Sequence, residues 1–183
     1  MQWLVRHTAL PLIRRQCLTC ASGRFRTTGA FRVNAHAKKL DIWLLAICVG
    51  CEQTIKLEIQ EQVHVRTVAP ALLDQLHRND AGLVLQLLTD PAVLRRNRVT
   101  LDWQDAWELQ ADPTKLCAGW VIDVAVRFEH SIPVRLVRLL ALGLGIPRAA
   151  AERLITTRQI ASTCALPTTV SRNFSFTLRV PQP

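Results

Sequence analysis

The sequence predicts an α+β protein, because two kinds of hydrophobic periodicity occupy different parts of its 183 residues. Apolar residues alternate with polar ones over residues 31–35, 55–59 and 63–66, a pattern typical of half-buried strands. Between residues 70 and 98 the leucines instead recur at helical spacing. Apolar residues make up 49% of the chain, which is enough for a packed core, so we expect a folded protein.

The first predicted segment, residues 1–66, consists of strands. Within it the nearly continuous apolar run 40–48 indicates a central strand, and Gly23, Gly29 and Gly50 mark turns. The second segment, residues 67–120, is predicted to be a helical linker. Pro70 opens its first helix, and aspartates at positions 80 and 90 precede two more. The acidic stretch 100–113 is predicted to be a loop with one helical turn.

The third segment, residues 121–183, is predicted to begin and end with strands, at 120–128 and 174–180. Two helices between them, 134–142 and 148–157, are joined by a glycine-containing turn and form a helical hairpin. Four mid-chain tryptophans are expected in the core: Trp43, Trp103, Trp107 and Trp120.

Basic residues are concentrated at both ends of the chain, which has a formal net charge of +9. Residues 1–66 contain ten Lys or Arg against four Asp or Glu, and residues 121–183 contain eight against three. The middle segment has five against seven. Two basic segments on a slightly acidic spacer favour a polyanionic partner such as a nucleic acid.

Two Cys-x-x-Cys pairs, Cys17 with Cys20 and Cys48 with Cys51, carry the strongest chemical signal. Each pair can direct two thiolates at one ion, and two such pairs complete a closed tetrahedral zinc site. We therefore predict an N-terminal zinc ribbon holding one structural Zn²⁺. Four sulfur ligands leave no coordination position for a reactive water. Cys117 and Cys164 lack this spacing and are predicted to be small buried residues.

Other features argue against secretion, membrane insertion and catalysis. Six cysteines without a secretory leader favour a reducing, cytoplasmic compartment, and the longest apolar run is too short for a membrane helix. The chain has no phosphate-binding glycine loop, nucleophile elbow or His-Glu-x-x-His motif, so we expect neither catalysis nor a small-molecule substrate. Asp102, Asp105 and Glu108 are predicted to form one solvated helix face.

The segments around the cysteines resemble a bacterial family catalogued as domain of unknown function 1062. The resembling stretches are Arg-Gln-Cys-Leu-Thr-Cys at 15–20, Thr-Gly-Ala-Phe-Arg-Val-Asn-Ala at 28–35, Lys-Lys-Leu-Asp-Ile-Trp-Leu at 38–44 and Cys-Val-Gly-Cys at 48–51. The resemblance continues through Ser-Ile-Pro-Val-Arg at 131–135 and Leu-Gly-Leu at 142–144. It implies a zinc ribbon and little about activity.

The C-terminal helical hairpin resembles the αL RNA-binding motif of small-subunit ribosomal protein S-four. The resemblance lies in the basic, leucine-rich stretch 135–140, the turn 143–148 and the apolar residues at 154, 155 and 160. Three positions depart from that motif, with Val137 in place of Asp, Pro147 in place of Ser and Arg158 in place of Gly. The resemblance implies structured RNA, such as ribosomal RNA or ribosomal particles, as the partner. The arginines implied to form the nucleic-acid surface are Arg135, Arg138, Arg148, Arg153 and Arg158.

Two other functions fit the same residues. Ala141, Gly145 and Leu154 occupy positions at which a helix-turn-helix has similar residues, which would make the protein a zinc-containing DNA-binding regulator. The second alternative is a protein-interaction adaptor that binds no nucleic acid.

Overall fold

The structure is a computed structural model of the chain that describes residues 1–111, 119–162 and 168–180. Cys117 and Cys164 lie outside the described residues. The strands are β1 (Gln2–His7), β2 (Leu12–Arg14), β3 (Arg24–His36), β4 (Lys39–Cys48), β5 (Thr54–His64), β6 (Thr100–Asp102), β7 (Trp107–Ala111), β8 (Val121–Phe128), β9 (Val134–Arg135), β10 (Ile160–Ala161), β11 (Thr169–Val170) and β12 (Phe174–Arg179). The helices are α1 (Pro70–His77), α2 (Ala81–Thr89), α3 (Pro91–Asn97), α4 (Leu136–Leu144) and α5 (Arg148–Thr156), with a 3₁₀ turn at Val65–Thr67.

The described residues contain both helices and strands, which confirms the α+β class. The chain forms two compact units. The cysteine unit is Leu10–Asp102, and the split unit combines Met1–Ala9 with Trp103–Pro183. This division differs from the three segments expected from the sequence. The helices α1–α3 are not a linker, because they share a core with the strands of the cysteine unit. The first strand, β1, pairs with β7 and β8, which are more than 100 residues further along the chain.

The cysteine unit is a five-stranded antiparallel sheet in the order β5-β4-β3-β2-β6. Alternate residues of β4 are buried, including Ile42, Leu44, Ala46 and Cys48, because successive side chains of a strand point to opposite faces. The helices α1–α3 cover this apolar face with residues such as Leu76, Val84, Leu88 and Val93, which belong to the same core cluster.

Polar contacts fix these helices at their ends and against the sheet. Asp80 caps α2 by accepting from the Leu83 N–H at 2.8 Å, and Asp90 caps α3 by accepting from the Ala92 N–H at 2.7 Å. The side chain of Asn97 accepts from the backbone N–H of Glu58 and donates to its carbonyl, at 2.8 and 2.9 Å. This pair of bonds holds the end of α3 to β5.

The split unit has a mixed five-stranded sheet in the order β10-β12-β8-β1-β7. Its strands β1 and β8 are parallel, whereas the other three pairs are antiparallel. Trp3 of β1 is fully buried and packs edge-on against Phe176 of β12, with ring centres 5.5 Å apart. A two-stranded ladder of β9 and β11 lies beside the N-terminus of α4.

Several expectations about the split unit and its boundary were wrong. The stretch 100–113 contains strands β6 and β7 instead of a loop with a helical turn, so Asp102, Asp105 and Glu108 do not share a helix face. Strand β6 pairs with β2 and strand β7 with β1. Trp103 and Trp107 are buried as expected and Trp43 is half-buried, but Trp120 is 49% exposed.

The helical hairpin starts later than expected, because residues 134–135 form strand β9 and α4 begins at Leu136. Among the described residues, no helix is long and apolar enough to cross a membrane.

Candidate metal centre

The two Cys-x-x-Cys pairs lie in two turns at the same end of the cysteine unit's sheet. Cys17 and Cys20 belong to the connection between β2 and β3, while Cys48 ends β4 and Cys51 lies in the turn to β5. Strands β3 and β4 are antiparallel neighbours, and Phe25 near the start of β3 pairs with Cys48. The two turns are therefore adjacent, although residues of the two pairs are 28 to 34 positions apart in the chain.

Backbone hydrogen bonds close both turns. The N–H of Cys17 donates to the Ser22 carbonyl, and the N–H of Cys48 donates to the Gln53 carbonyl, each at 2.9 Å. The N–H of Val49 donates to the Arg24 carbonyl at 3.0 Å and joins the second turn to the start of β3. The positions of the cysteines are thus set by main-chain bonds of the sheet and its turns.

The four sulfur atoms have the spacing of a tetrahedral thiolate site. Cys17 Sγ lies 3.7 Å from Cys51 Sγ, and Cys20 Sγ lies 3.6 Å from Cys48 Sγ. All four lie within 4.8 Å of one another. Four thiolates bound to one ion at about 2.3 Å would place neighbouring sulfurs about 3.8 Å apart, since that is the edge of the tetrahedron. The four cysteines therefore form a cluster that could hold a metal ion.

Backbone N–H groups point at the first sulfur of each pair. Thr19 N–H donates to Cys17 Sγ at 3.4 Å, and Gly50 N–H donates to Cys48 Sγ at 3.3 Å. The equivalent position in each pair, two residues after the first cysteine, makes the same contact. Such bonds stabilise a thiolate over a thiol, which favours metal binding.

Gly50 also allows the two turns to approach each other, a role that its turn position alone did not reveal. A Cβ atom on Gly50 would lie 3.2 Å from Cys20 Sγ and 3.1 Å from the Ser22 Cβ. Both distances are tighter than ordinary van der Waals contact, so a side chain here would push the first pair away from the second. The sequence feature that could have indicated this role is the position of Gly50 between Cys48 and Cys51.

The pKa values of the thiols show how protons are distributed in the cluster without a metal. Burial raises the pKa of Cys48, but the N–H groups of Cys51 and Gly50 together with the Cys20 and Ser22 side chains lower it to about 6. The Gln53 N–H lowers the pKa of Cys51, but desolvation and the three neighbouring sulfurs raise it to about 12. Near neutral pH the cluster therefore holds a Cys48 thiolate beside a protonated Cys51, and an ion bound by all four sulfurs must displace protons.

The cluster lies at the surface end of the core. Cys48 is fully buried and Cys17 nearly so, whereas Cys20 is half-buried and Cys51 exposed. Leu18, inside the first pair, is 97% exposed, and Val49, inside the second, is 52% exposed. The inner side of the cluster is thus continuous with the apolar core, and its outer side presents two apolar side chains to solvent.

The five arginines implied to bind nucleic acid have different surroundings in the split unit. Arg138 stacks over Trp107, with its guanidinium 5.0 Å from the ring centre, and donates to the Gln104 carbonyl. Arg148 pairs with Glu152 one helical turn along α5, at 3.0 Å. The other three are exposed and have no ion-pair partner among the described residues; they are Arg135, Arg153 and Arg158.

The fold and the site define a class: an α+β protein of two compact units, one of which has a four-cysteine cluster with metal-site geometry. A family model described as "Protein of unknown function (DUF1062)" matches residues 33–165. The chain belongs to this family, which confirms the family expected from its residues. The matched range includes Cys48 and Cys51 and begins after Cys17 and Cys20. No curated protein and no solved structure matches the chain significantly.

Proposed function

We propose that Cys17, Cys20, Cys48 and Cys51 bind one Zn²⁺ ion, which makes the cysteine unit a zinc ribbon. The observation that carries this proposal is the pair of sulfur–sulfur distances, 3.6 and 3.7 Å, close to the tetrahedral edge of a zinc–thiolate site. Thiolates select soft or borderline ions, and tetrahedral four-sulfur sites are typical of zinc or iron. Since all four ligands are sulfur, the ion has a structural role and supplies no reactive water.

The proposed partner is structured RNA, bound without catalysis through the hairpin of α4 and α5. Support comes from three arginines around this hairpin that are exposed and have no ion-pair partner among the described residues, Arg135, Arg153 and Arg158. The pair of Arg148 with Glu152 is exposed, and exposed pairs contribute little stability, so the guanidinium remains available to a phosphate. Arg138 stabilises the unit through Trp107 and is the least suitable of the five for contacting RNA.

The backbone around the hairpin supports the resemblance to the αL motif. The motif has Gly at the position of Arg158, and Arg158 has a φ of 55°, the left-handed conformation that Gly adopts most readily. A short strand, β10, follows two residues later. At the N-terminus of α5, in the part of the chain that the structure describes, no side chain caps the first N–H groups. These groups and the positive end of the helix dipole favour a phosphate at that position.

Filter binding with a ribosomal RNA fragment, transfer RNA and duplex DNA tests this proposal. The double variant Arg135→Ala, Arg153→Ala should bind structured RNA about 30- to 1,000-fold more weakly than the parent, because two charge-assisted hydrogen bonds of about 1–2 kcal/mol each are lost. The control Lys38→Ala, Lys39→Ala removes two exposed charges, one from the turn between β3 and β4 and one from the first residue of β4, and should change the affinity much less.

Each alternative function predicts a different result in the same series. A DNA-binding regulator would prefer duplex DNA with sequence selectivity, which would overturn the proposed partner. An adaptor would bind neither nucleic acid, and the exposed Leu18 and Val49 would then be the first surface to test for a protein partner. Equal loss of RNA affinity in the two double variants would also contradict the proposed site, because it would indicate an unspecific charge effect.

A further inference from the structure

The split unit brings together two histidines and a glutamate that the sequence keeps far apart. His7 ends β1, whereas Glu129 and His130 directly follow β8. Strands β1 and β8 are parallel neighbours, with Val5 paired with Phe128. The carboxyl ends of neighbouring parallel strands lie at the same edge of a sheet, and the Glu129 N–H donates to the Val5 carbonyl at 3.0 Å to continue the pairing. The three side chains therefore meet at one edge.

Their donor atoms are close enough for one ion. One ligand atom from each of His7, Glu129 and His130 lies within 4.8 Å of the others. His7 Nδ1 is 3.7 Å from Glu129 Oε2, and the two imidazole rings meet edge to face with centres 4.5 Å apart. An ion with ligands at about 2.1 Å in tetrahedral geometry holds them about 3.4 Å apart. Glu129 and His130 are exposed, so their side chains are free of the core packing that would hold them away from this spacing.

The nitrogen of His7 that faces this cluster lacks a hydrogen bond. His7 Nδ1 is buried and has no hydrogen-bond partner among the described residues. A buried polar atom without a partner is costly, and such atoms are rare unless water or an ion completes their coordination. Among the described residues, Arg6 pairs with the carboxylate of this cluster, and its Nε lies 3.6 Å from Glu129 Oε2. His7 Nδ1 approaches the same carboxylate oxygen at 3.7 Å, which is too long for a hydrogen bond.

We propose that His7, Glu129 and His130 form a second metal site, for a divalent transition metal ion of which Zn²⁺ is the representative. Two imidazoles and one carboxylate suit zinc, copper or nickel better than calcium or magnesium, which take oxygen ligands. Three protein ligands leave at least one coordination position for water or another ligand. The site differs from the cysteine cluster in ligand type, exposure and compact unit, so its existence is independent of the proposed RNA binding and of the zinc ribbon.

This site should bind more weakly than the cysteine cluster. It has three ligands instead of four, two of them are exposed, and Arg6 competes for the carboxylate. Loss of one ligand should weaken binding by at least about tenfold, since even the loss of an outer-shell partner commonly costs 10- to 100-fold.

The test is a zinc titration of the whole chain that already carries one equivalent of zinc, followed by calorimetry and native mass spectrometry. The parent should take up a second equivalent. His130→Ala and Glu129→Gln should each weaken this second step by at least about tenfold. Both side chains are exposed, so neither change should prevent folding. His36→Ala is the matched control, because His36 is an exposed histidine at the end of β3 in the other unit, and it should leave the second step unchanged.

A spectroscopic measurement with Cu²⁺ as the probe identifies the ligands. Electron paramagnetic resonance of the zinc-loaded parent with one equivalent of Cu²⁺ should show coupling to imidazole nitrogen, and His130→Ala should reduce this coupling. Saturation of the parent at one zinc equivalent would overturn the proposal. A second step that is equally strong in the parent, His130→Ala and Glu129→Gln would overturn it as well.

Discussion

The Sγ atoms of Cys20 and Cys48 lie 3.6 Å apart although the residues are 28 positions apart in the chain. This contact joins the connection between β2 and β3 to the turn between β4 and β5. Without a metal ion it brings ionisable thiols close together in a partly buried site, and with a metal ion it becomes one edge of a tetrahedron. The ion would thus link four strands of the same sheet.

Replacing Cys48 with Ser should abolish tight zinc binding and loosen the cysteine end of the sheet. Cys48 is the fully buried ligand and accepts the Gly50 N–H, so its loss removes a bond that the more exposed ligands cannot replace. Metal binding is coupled to folding in such sites. Hydrogen exchange should therefore increase in β3, β4 and β5, while the split unit keeps its protection. A variant that retains one zinc with unchanged exchange would contradict the assignment.

Replacing Gly50 with Ala should weaken zinc binding although all four cysteines remain. The new Cβ would lie 3.2 Å from Cys20 Sγ and 3.1 Å from Ser22 Cβ, so the first pair must shift. We expect an affinity loss of about 5- to 150-fold, corresponding to an overpacking cost of about 1–3 kcal/mol. Gly23→Ala is the control, because its nearest neighbour would be Gln16 Oε1 at 3.9 Å. Competition with a chromophoric chelator measures the zinc affinity of both variants. Equal affinities would contradict the close approach of Gly50 to Cys20 and Ser22.

Zinc affinity should fall as the pH decreases. Binding by four thiolates must displace the proton of Cys51, whose pKa is raised to about 12, and protons compete more effectively at lower pH. Below about pH 6 the Cys48 thiol of the metal-free protein, with a pKa of about 6, also becomes protonated. The plot of log affinity against pH should therefore steepen below that value. Chelator competition between pH 8 and 5 measures the zinc affinity at each pH. A slope that stays constant through pH 6 would contradict the protonation of Cys48 in this range.

Replacing Gly143 with Ala should destabilise the split unit. A Cβ on this residue of α4 would lie 2.3 to 2.6 Å from the indole ring of Trp3, which is fully buried and cannot move aside. Overpacking of this kind costs about 1–3 kcal/mol and in severe cases more. Gly82→Ala in α2 is the control, since its Cβ would meet only Asp80 Oδ1 at 3.3 Å and Ala favours a helix by up to about 1 kcal/mol. Urea unfolding measures both, and equal effects would argue against the contact with Trp3.

The sequence predicted best those features that depend on local spacing. The two Cys-x-x-Cys pairs correctly predicted the four-cysteine cluster. Each turn holds the two sulfurs of its own pair close together, and the segment between the pairs forms two strands, β3 and β4, that bring the two turns side by side. The helical periodicity from residue 70 and the aspartate caps at 80 and 90 correctly indicated three helices. Strand β4, predicted over residues 40–48, begins one residue earlier.

Features that depend on distant partners were not predictable in this way. Strand β1 is stabilised by pairing with β7 and β8, and nothing near residue 2 reveals partners more than 100 residues away. For the same reason nothing in the local sequence around either residue indicates that His7 and His130 are in contact. The acidic stretch around Trp103 was predicted to contain a helical turn from its local composition. Its strands β6 and β7 instead depend on pairing with β2 and β1, which local composition does not reveal.

X-ray absorption at the zinc K-edge tests the central assignment most directly. Protein loaded with one equivalent of Zn²⁺ should show four sulfur neighbours at about 2.3 Å and no nitrogen or oxygen in the first shell. This result would place the ion among Cys17, Cys20, Cys48 and Cys51. A first shell dominated by nitrogen and oxygen, or a folded protein that takes up no zinc, would contradict the account.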